Sequence, residues 1–264
     1  SANDAAVVLA ERIAGSEDAF VELMNKRADE LGMKNTHFEN TNGLDDTVTN
    51  HVTSARDIAI MSRELISHEK ILQYSGIWMD TVRNGAFGLT NTNRLVRFYK
   101  GATGLKTGST SKAGFCVSVT AERGGTGFIA VIMGAPSRDV RNECAKMLLD
   151  YGFSNYESYT SPKADLPELY VKGGVSDFCT LDVGSFSAVL KKGDGARVTY
   201  ETVLPEELVA PVAQGDKIGE AIFKLDGQII GKCDIVAAET VDKVSFSEIL
   251  WRVMKRFLFC TENG

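Results

Sequence analysis

The hydrophobic period of the chain changes after Asn91, and this change limits the folds available to it. Before Asn91, apolar residues recur at the spacing of amphipathic helices. After it, apolar and polar residues alternate, and the link "ERGGTG" has the composition of a hairpin turn. The pattern predicts an α+β fold with an antiparallel sheet, whose strands cover roughly 104–109, 114–122 and 127–134.

Helices are predicted on both sides of these strands in the sequence. The first three cover 4–14, 16–32 and 54–68, the second opening at Ser16 and the third following a Thr53 cap. A fourth helix is predicted over 138–151. Its apolar stripe is expected to cover one face of the sheet, and consists of Val140, Cys144, Met147, Leu148 and Tyr151.

The remainder of the chain has a different pattern. Residues 154–166 are polar, contain a proline and have no period, which predicts a linker. Short strands separated by Gly/Asp turns then continue to about residue 240 and predict a small all-β domain. In the tail, Ser245 and Glu248 form a capping box that opens an amphipathic helix. This helix is suited to a membrane interface over 245–260 or, alternatively, to docking on its own domain.

Composition excludes several kinds of partner. The formal net charge is −6 and the body of the chain has no basic run, so no nucleic-acid partner is predicted. Five cysteines without a CxxC pair and three histidines without zinc-site spacing predict no metal and no cofactor. Because the first residue is Ser, we expect the sequence to begin part-way through a longer gene product, so the lack of a targeting segment says nothing about location.

A lysine and a glycine stand next to a hydroxyl residue inside the first predicted strand, as Lys106-Thr107-Gly108. Glycine weakens a strand, and it is tolerated where a ligand or another backbone approaches closely. An extended substrate adding to this strand edge would meet the Lys106 charge and the Thr107 hydroxyl. The alternative is a bulged surface strand.

The first three residues make the substrate interpretation more specific. Ser1-Ala2-Asn3, followed by Lys106-Thr107-Gly108, reproduces the order of the second and third signatures of penicillin-recognising serine acyl enzymes. Together with the segments "GMKNTHFENTNGL", "TSARDIA", "NTNRLV" and "VIMGAPSRDVRNECAKMLLDYGF", the chain resembles the low-molecular-mass penicillin-binding proteins, the serine D-alanyl-D-alanine carboxypeptidases of peptidase S11 type. The resemblance covers nearly the whole chain.

The resemblance implies a domain plan. Residues 1–158 would be part of a penicillin-recognising transpeptidase/β-lactamase-like domain whose N-terminal portion is missing from this sequence. Residues 159–243 would be a small β-sandwich-like domain, and residues 244–264 are similar to the family's amphipathic membrane anchor.

The resemblance also implies a reaction. A serine attacks the carbonyl between the two D-alanines that end a peptidoglycan stem peptide, expels the last D-alanine, and water later releases the acyl-enzyme. Beta-lactam antibiotics imitate the dipeptide and remain attached. The expected location is the outer face of the bacterial cytoplasmic membrane.

Three residues match catalytic positions of the family. Ser1 matches the serine that relays a proton to the leaving group, and Asn3 matches the amide that orients the substrate and neighbouring lysines. Lys106 would hold positive potential over the site.

Five further residues match positions that bind the substrate. Thr107 would contact its carboxylate, Gly108 would allow close approach, and the Ser109 N–H would form half of the oxyanion hole. Arg141 matches the family's basic residue on the last helix of the domain. Arg94 is a second candidate of this kind.

The nucleophile and its general base lie in a Ser-x-x-Lys signature, which in the family precedes the Ser-x-Asn serine. Two matches, Ser67 with Lys70 and Ser109 with Lys112, occur after it and are interpreted as chance. We therefore expect that the chain as given lacks its nucleophile and cannot be acylated.

Three other functions fit parts of the pattern. Ser1 would be the nucleophile of an N-terminal nucleophile hydrolase, but this requires a strand where residues 4–14 predict a helix. A serine β-lactamase shares both signatures, but the "ELGMKN" segment does not match the deacylation loop of the class A enzymes. A non-catalytic wall-binding or scaffold homologue is the third.

Overall fold

The computed structural model describes residues 1–46 and 48–258, and the side chains of 256–258 are not part of that description. The chain divides into two units, Ser1–Asn155 and Tyr156–Gly264. The sequence analysis placed the boundary between the two domains between residues 158 and 159. In the structure the boundary lies earlier, because the last helix of the first unit runs to Asn155 and a strand begins at the next residue.

The helices of the first unit lie close to their predicted positions, with two short additions. Ser16 caps the second helix by accepting a hydrogen bond from Ala19 N at 3.2 Å. The cap predicted at Thr53 is wrong, since the hydroxyl of Ser54 accepts from Asp57 N. The helices are α1 Asn3–Ala14, α2 Glu17–Glu30, α3 Ala55–Ile66, α4 Lys70–Ser75, α5 Leu95–Phe98 and α6 Arg138–Asn155.

The sheet of the first unit is antiparallel, which confirms the α+β prediction. A hairpin that the sequence did not predict precedes it, formed by β1 Met79–Val82 and β2 Phe87–Thr90. The strands of the sheet are β3 Ala102–Thr110, β4 Gly114–Arg123 and β5 Thr126–Ala135, in the order β3-β4-β5. Within the described residues, β3 pairs with β4 alone, so it is an edge strand.

Helix α6 covers one face of this sheet, but not with the predicted stripe. Of that stripe, Met147 is 70% exposed and Leu148 51% exposed. The buried positions of the helix are Arg141, Asn142, Ala145, Leu149 and Gly152. Small residues bring the helix close to the sheet: a Cβ at Gly152 would lie 3.2 Å from the ring of Phe128. The prediction ranked positions by hydrophobicity, whereas close approach favours small residues.

Helix α3 packs against the opposite face. Its Ser62 hydroxyl meets the Ser118 hydroxyl of β4 at 2.6 Å, and both side chains are buried. Ser118 lies directly opposite Lys106 in the register of the sheet. Side chains alternate between the faces of a strand. Lys106 therefore lies on the α3 face, whereas Leu105 and Thr107 lie on the α6 face.

The second unit contains mainly short strands, as the sequence predicts. The linker predicted over 154–166 is wrong at its start, because residues 156–160 form a strand that pairs with residues 187–191. The described strands are β6 Tyr156–Thr160, β7 Leu169–Lys172, β8 Phe178–Cys179, β9 Leu181–Val183, β10 Ser187–Lys191, β11 Val198–Val203, β12 Leu208–Val209, β13 Lys217–Leu225 and β14 Gln228–Ala237.

The tail forms helix α7, Phe246–Leu258. The predicted capping box is confirmed: Ser245 N donates to Glu248 Oε2 at 2.8 Å, and Glu248 N donates to Ser245 Oγ at 3.3 Å. The predicted membrane segment extends to residue 260, and its residues 259–260 lie outside the described residues. Among the described helices, none combines the length and apolarity needed to cross a bilayer.

Candidate active site

Ser1 and Lys106 are in direct contact although 104 residues separate them in the chain. The Lys106 ammonium donates a hydrogen bond to Ser1 Oγ at 2.7 Å and another to the carbonyl of Thr107. Ser1 lies one residue before Ala2, the N-cap of α1, and Lys106 lies in the middle of the edge strand β3. The structure thus brings the Ser-x-Asn and Lys-Thr-Gly sequences together at one point.

The Lys106 ammonium lies at the surface but among enough protein atoms to feel their low polarity. This desolvation lowers the pKa of Lys106 from its ordinary value. Within the described residues, no carboxylate compensates the charge. A cation in this setting is available to an anionic ligand and to the hydroxyl that it already contacts.

Gly108 and Ser109 are the exposed residues that follow on β3. A Cβ at Gly108 would meet no atom of the chain within 4 Å, and its backbone is not in the left-handed region. The fold of the described residues therefore does not require glycine at this position. The glycine leaves an open strand edge beside Ser109, at which an extended ligand can approach the backbone.

Thr107 faces away from Lys106 and is buried, with an exposed fraction of 8%. Its hydroxyl forms a 2.6 Å hydrogen bond with the hydroxyl of Thr92, which precedes α5. In this structure Thr107, which was predicted to contact the substrate carboxylate, is thus hydrogen-bonded to another hydroxyl, that of Thr92. Either hydroxyl of the pair can donate.

Arg141 lies beneath the same end of β3, on the α6 face. Its guanidinium donates to Asn142 Oδ1 at 3.0 and 3.2 Å and to the carbonyl of Cys116 at 3.4 Å. Cys116 pairs with Gly108, the residue after Thr107. Arg141 is only 3% exposed, and burial, followed by the neighbouring charge of Arg138, lowers its pKa. Among the described side chains, no carboxylate pairs with this buried cation.

The two remaining predicted residues are less closely connected to this point. Asn3 is exposed at the first position of α1, two residues after Ser1. Arg94 is exposed at the start of α5, where its carbonyl accepts from Phe98 N at 3.1 Å. Arg94 lies two residues after Thr92 in the chain. Its side chain makes no contact with Lys106, Thr107 or Arg141.

The sequence analysis missed the role of two residues of the "NTNR" segment. Thr92 contacts Thr107, and the buried amide of Asn93 donates to the Gly104 carbonyl of β3 at 3.1 Å. The run of three short polar residues, Asn91-Thr92-Asn93, is a signal for such a tether, because short polar side chains hydrogen-bond nearby backbone.

A separate groove of the first unit lies elsewhere. It has a volume of about 620 Å³ and lies between α3 and strands β3–β5, with Arg56, Arg63 and Phe128 in its lining. None of the eight predicted site residues lines it. We place the candidate site at Lys106 because the charged and polar groups converge there. The described residues contain no cluster of three or more side chains able to hold a metal ion.

Two family models match the chain. The model described as D-alanyl-D-alanine carboxypeptidase matches residues 1–137, and the model described as penicillin-binding protein 5, C-terminal domain, matches residues 173–243. The two matched segments follow one another along the chain in the order that the resemblance predicts.

Individual relatives agree with these models. The D-alanyl-D-alanine carboxypeptidase DacF of Bacillus subtilis is 38% identical over 261 residues, covering 96% of this chain and 67% of the relative. The chain thus spans about two thirds of the length of the curated relatives it matches.

Solved structures give the same result. Penicillin-binding protein 5 of Haemophilus influenzae superposes with a TM-score of 0.74 and 32% identity, over 91% of this chain and 71% of that one. Penicillin-binding protein D2 of Listeria monocytogenes, solved in a cefotaxime-bound form, has a TM-score of 0.54 and 37% identity, over 58% of this chain and 61% of that one.

Proposed function

Because the chain belongs to the D-alanyl-D-alanine carboxypeptidase family of penicillin-binding proteins, we propose that it forms part of the active site of such an enzyme. The substrate would be a peptidoglycan stem peptide ending in D-Ala-D-Ala, from which the last D-alanine is removed through an acyl-enzyme. Beta-lactams would acylate the same site. The observation that carries the proposal is the 2.7 Å contact between Lys106 Nζ and Ser1 Oγ.

Ser1 and Lys106 would act together on the proton of the reaction. A hydroxyl held by a cation is well placed to pass a proton to the departing amine, because the positive charge stabilises the negative charge that develops on the hydroxyl oxygen as the proton leaves. Lys106 would also stabilise negative charge that develops on the substrate. Asn3, two residues after Ser1, would orient the substrate amide.

Strand β3 would bind the substrate backbone. Its outer edge has no strand partner among the described residues, so an extended peptide can add to it. Gly108 would permit that approach, and the N–H of Ser109 would donate to the carbonyl oxygen as it becomes an oxyanion.

Arg141 and Thr107 would hold the terminal carboxylate. A buried guanidinium without a carboxylate partner is costly, and an anionic ligand would offset that cost. Cys116 links the two residues, since its carbonyl accepts from Arg141 and its register partner follows Thr107. Arg94 remains a secondary candidate for this role.

The acylating serine would not come from either Ser-x-x-Lys match in the chain. The Ser67 hydroxyl donates to the carbonyl of Glu64 at 2.6 Å, which is the geometry of a helix end. The Lys112 ammonium donates to the Asp45 carbonyl, so it is occupied away from Ser109. Neither lysine is positioned as a base for its serine.

The test is intact mass after incubation with benzylpenicillin, on this chain and on the gene product read from its own start codon. We expect one penicilloyl adduct on the longer protein and none on the 264-residue chain. An adduct on the 264-residue chain would overturn the assignment of Ser1 as a relay. No adduct on either would favour the wall-binding scaffold.

We further propose that α7 holds the protein at a membrane surface outside the cytoplasm. If α7 were docked by its apolar face, that face would be buried, yet its apolar side chains up to Met254 are all at least 44% exposed. Phe246, Ile249, Leu250 and Val253 share one side of the helix, and the cations Arg252 and Lys255 lie elsewhere on it. This pattern suits the interface of an anionic bilayer.

Leu250→Glu is expected to weaken binding of the chain to phosphatidylglycerol-containing vesicles by about tenfold or more, because it removes apolar area that enters the bilayer. Pelleting with vesicles measures the effect. Ser247→Glu changes the charge equally on the same helix and is the matched control. Equal losses in both variants, or no pelleting of the unmodified chain, would contradict the membrane role.

A further inference from the structure

The 40–46 loop makes contacts both with the helices of the first unit and with the turn that follows the C-terminal end of β3. On the helical side it is held by Glu17 of α2, whose carboxylate accepts from Thr41 N at 3.1 Å and Thr41 Oγ1 at 2.7 Å. Both hydrogen bonds lower the pKa of Glu17. Helix α2 follows α1 directly, so this anchor is attached to the part of the chain that carries Ser1 and Asn3.

The loop is ordered by its own side chains. The Asn40 amide donates to the Leu44 carbonyl and its oxygen accepts from Gly43 N, each at 2.8 Å. The Asn42 oxygen accepts from Leu44 N at 2.9 Å. A loop closed by such bonds has lost much of its conformational freedom before any ligand binds, and it transmits position from one end to the other.

On the sheet side the loop contacts the β3–β4 turn through Asp45. The Lys112 ammonium donates to the Asp45 carbonyl at 3.0 Å, and Lys112 N lies 3.4 Å from Asp45 Oδ2. The Thr110 hydroxyl accepts from Ala113 N at 2.9 Å and is also the main cause of a lowered pKa at Asp45. Asp45 thus contacts the residues that immediately follow Ser109.

We propose that Asp45 is a positioning residue: it fixes the end of β3, and with it the Ser109 N–H, relative to the helices that carry Ser1. The inference rests on the proposed function for its catalytic consequence. It is needed because β3 is paired on one side only, so β4 alone does not fix the position of its last residues. Asp45 supplies a second, independent support from the 40–46 loop, which is held by α2.

The first experiment tests the contact without reference to catalysis. Hydrogen exchange of the Lys112 and Ala113 amides is measured on the 264-residue chain and on its Asp45→Ala variant. We expect exchange in the variant to be about tenfold faster, because the Lys112 amide and the Thr110 hydroxyl lose the Asp45 carboxylate, although the bond from the Lys112 ammonium to the Asp45 carbonyl remains. Asp46→Ala is the matched control: within the described residues Asp46 makes no hydrogen bond or ion pair, and exchange should stay unchanged. Unchanged exchange in Asp45→Ala would overturn the proposal.

The second experiment tests the catalytic consequence in the gene product read from its start codon. With benzylpenicillin, Asp45→Ala is expected to lower the acylation rate constant at saturation about tenfold while the dissociation constant of the non-covalent complex changes less than twofold. Asp45→Asn keeps an acceptor oxygen and should recover most of the rate.

The outcomes separate two failures. If Asp45→Ala acylates at the unmodified rate, or if only the dissociation constant changes, the positioning role is wrong. If the unmodified protein is not acylated at all, the proposed function fails instead, and the exchange measurement alone decides whether Asp45 fixes the end of β3.

Discussion

Replacing Lys106 by alanine is expected to slow acylation by benzylpenicillin about a thousandfold, because one preorganised electrostatic contact is worth 10² to 10³ in rate. The variant loses both the donor to Ser1 Oγ and the charge above the strand. The second-order acylation rate constant of the start-codon protein measures the effect. Lys100→Ala is the control, since Lys100 is an exposed lysine just before β3. A loss of less than threefold in Lys106→Ala would refute the assigned role.

The same residue gives a pH dependence. Desolvation lowers the pKa of Lys106, so its proton leaves at a lower pH than that of an ordinary lysine. Acylation should therefore decline on the alkaline side before the ordinary lysine range is reached, since it requires the charged form. Lys106→Ala should lack this alkaline limb, and a limb that persists in the variant would assign it to another group.

Replacing Arg141 by glutamine is expected to lower kcat/KM for a peptide ending in a free D-Ala-D-Ala carboxylate by about 10² or more, because a buried site built for a charged partner loses that partner. A peptide with a C-terminal amide should be affected much less. The ratio between the two substrates is the measurement, since it does not depend on the fraction of protein that is folded. Arg141 would then account for the selectivity of the enzyme for a free C terminus.

Arg138→Gln provides the control for Arg141, because Arg138 is exposed and lies one turn earlier on the same helix. Its substrate ratio should equal that of the unmodified protein. Parallel losses for both peptides in Arg141→Gln would mean that Arg141 only supports the fold through Asn142 and Cys116.

The sequence predicted the strands and the Lys-Thr-Gly edge because their signals are local. Alternation over β3–β5, the glycine hairpin and the Ser245–Glu248 box each depend on a few neighbouring residues. The resemblance assigned Ser1 and Lys106 to one active site, and the structure adds their direct contact; no local rule relates residues so far apart.

Other features could not be read from local patterns. The buried face of α6 was assigned wrongly because the stripe was chosen by hydrophobicity, whereas the buried face includes the polar pair Arg141 and Asn142. Hydrogen bonds from Arg141 to Asn142 and to the Cys116 carbonyl make this burial tolerable. The β1–β2 hairpin was missed because its side chains are exposed on both strands, so no alternation between a buried and an exposed face is imposed on its sequence. The Thr92–Thr107 pair depends on tertiary packing.

The two uncompensated cations of the candidate site have a consequence for encounter with ligands. The 264-residue chain carries a formal charge of −6, yet Lys106 and Arg141 lie on opposite faces of one strand without carboxylate partners among the described residues. The electrostatic potential close to these two cations is therefore positive, whereas the potential far from the chain is negative. Anions that approach within a Debye length, about 8 Å at physiological ionic strength, are drawn in, whereas those farther away are weakly repelled. Added salt would screen the long-range repulsion more than the short-range attraction.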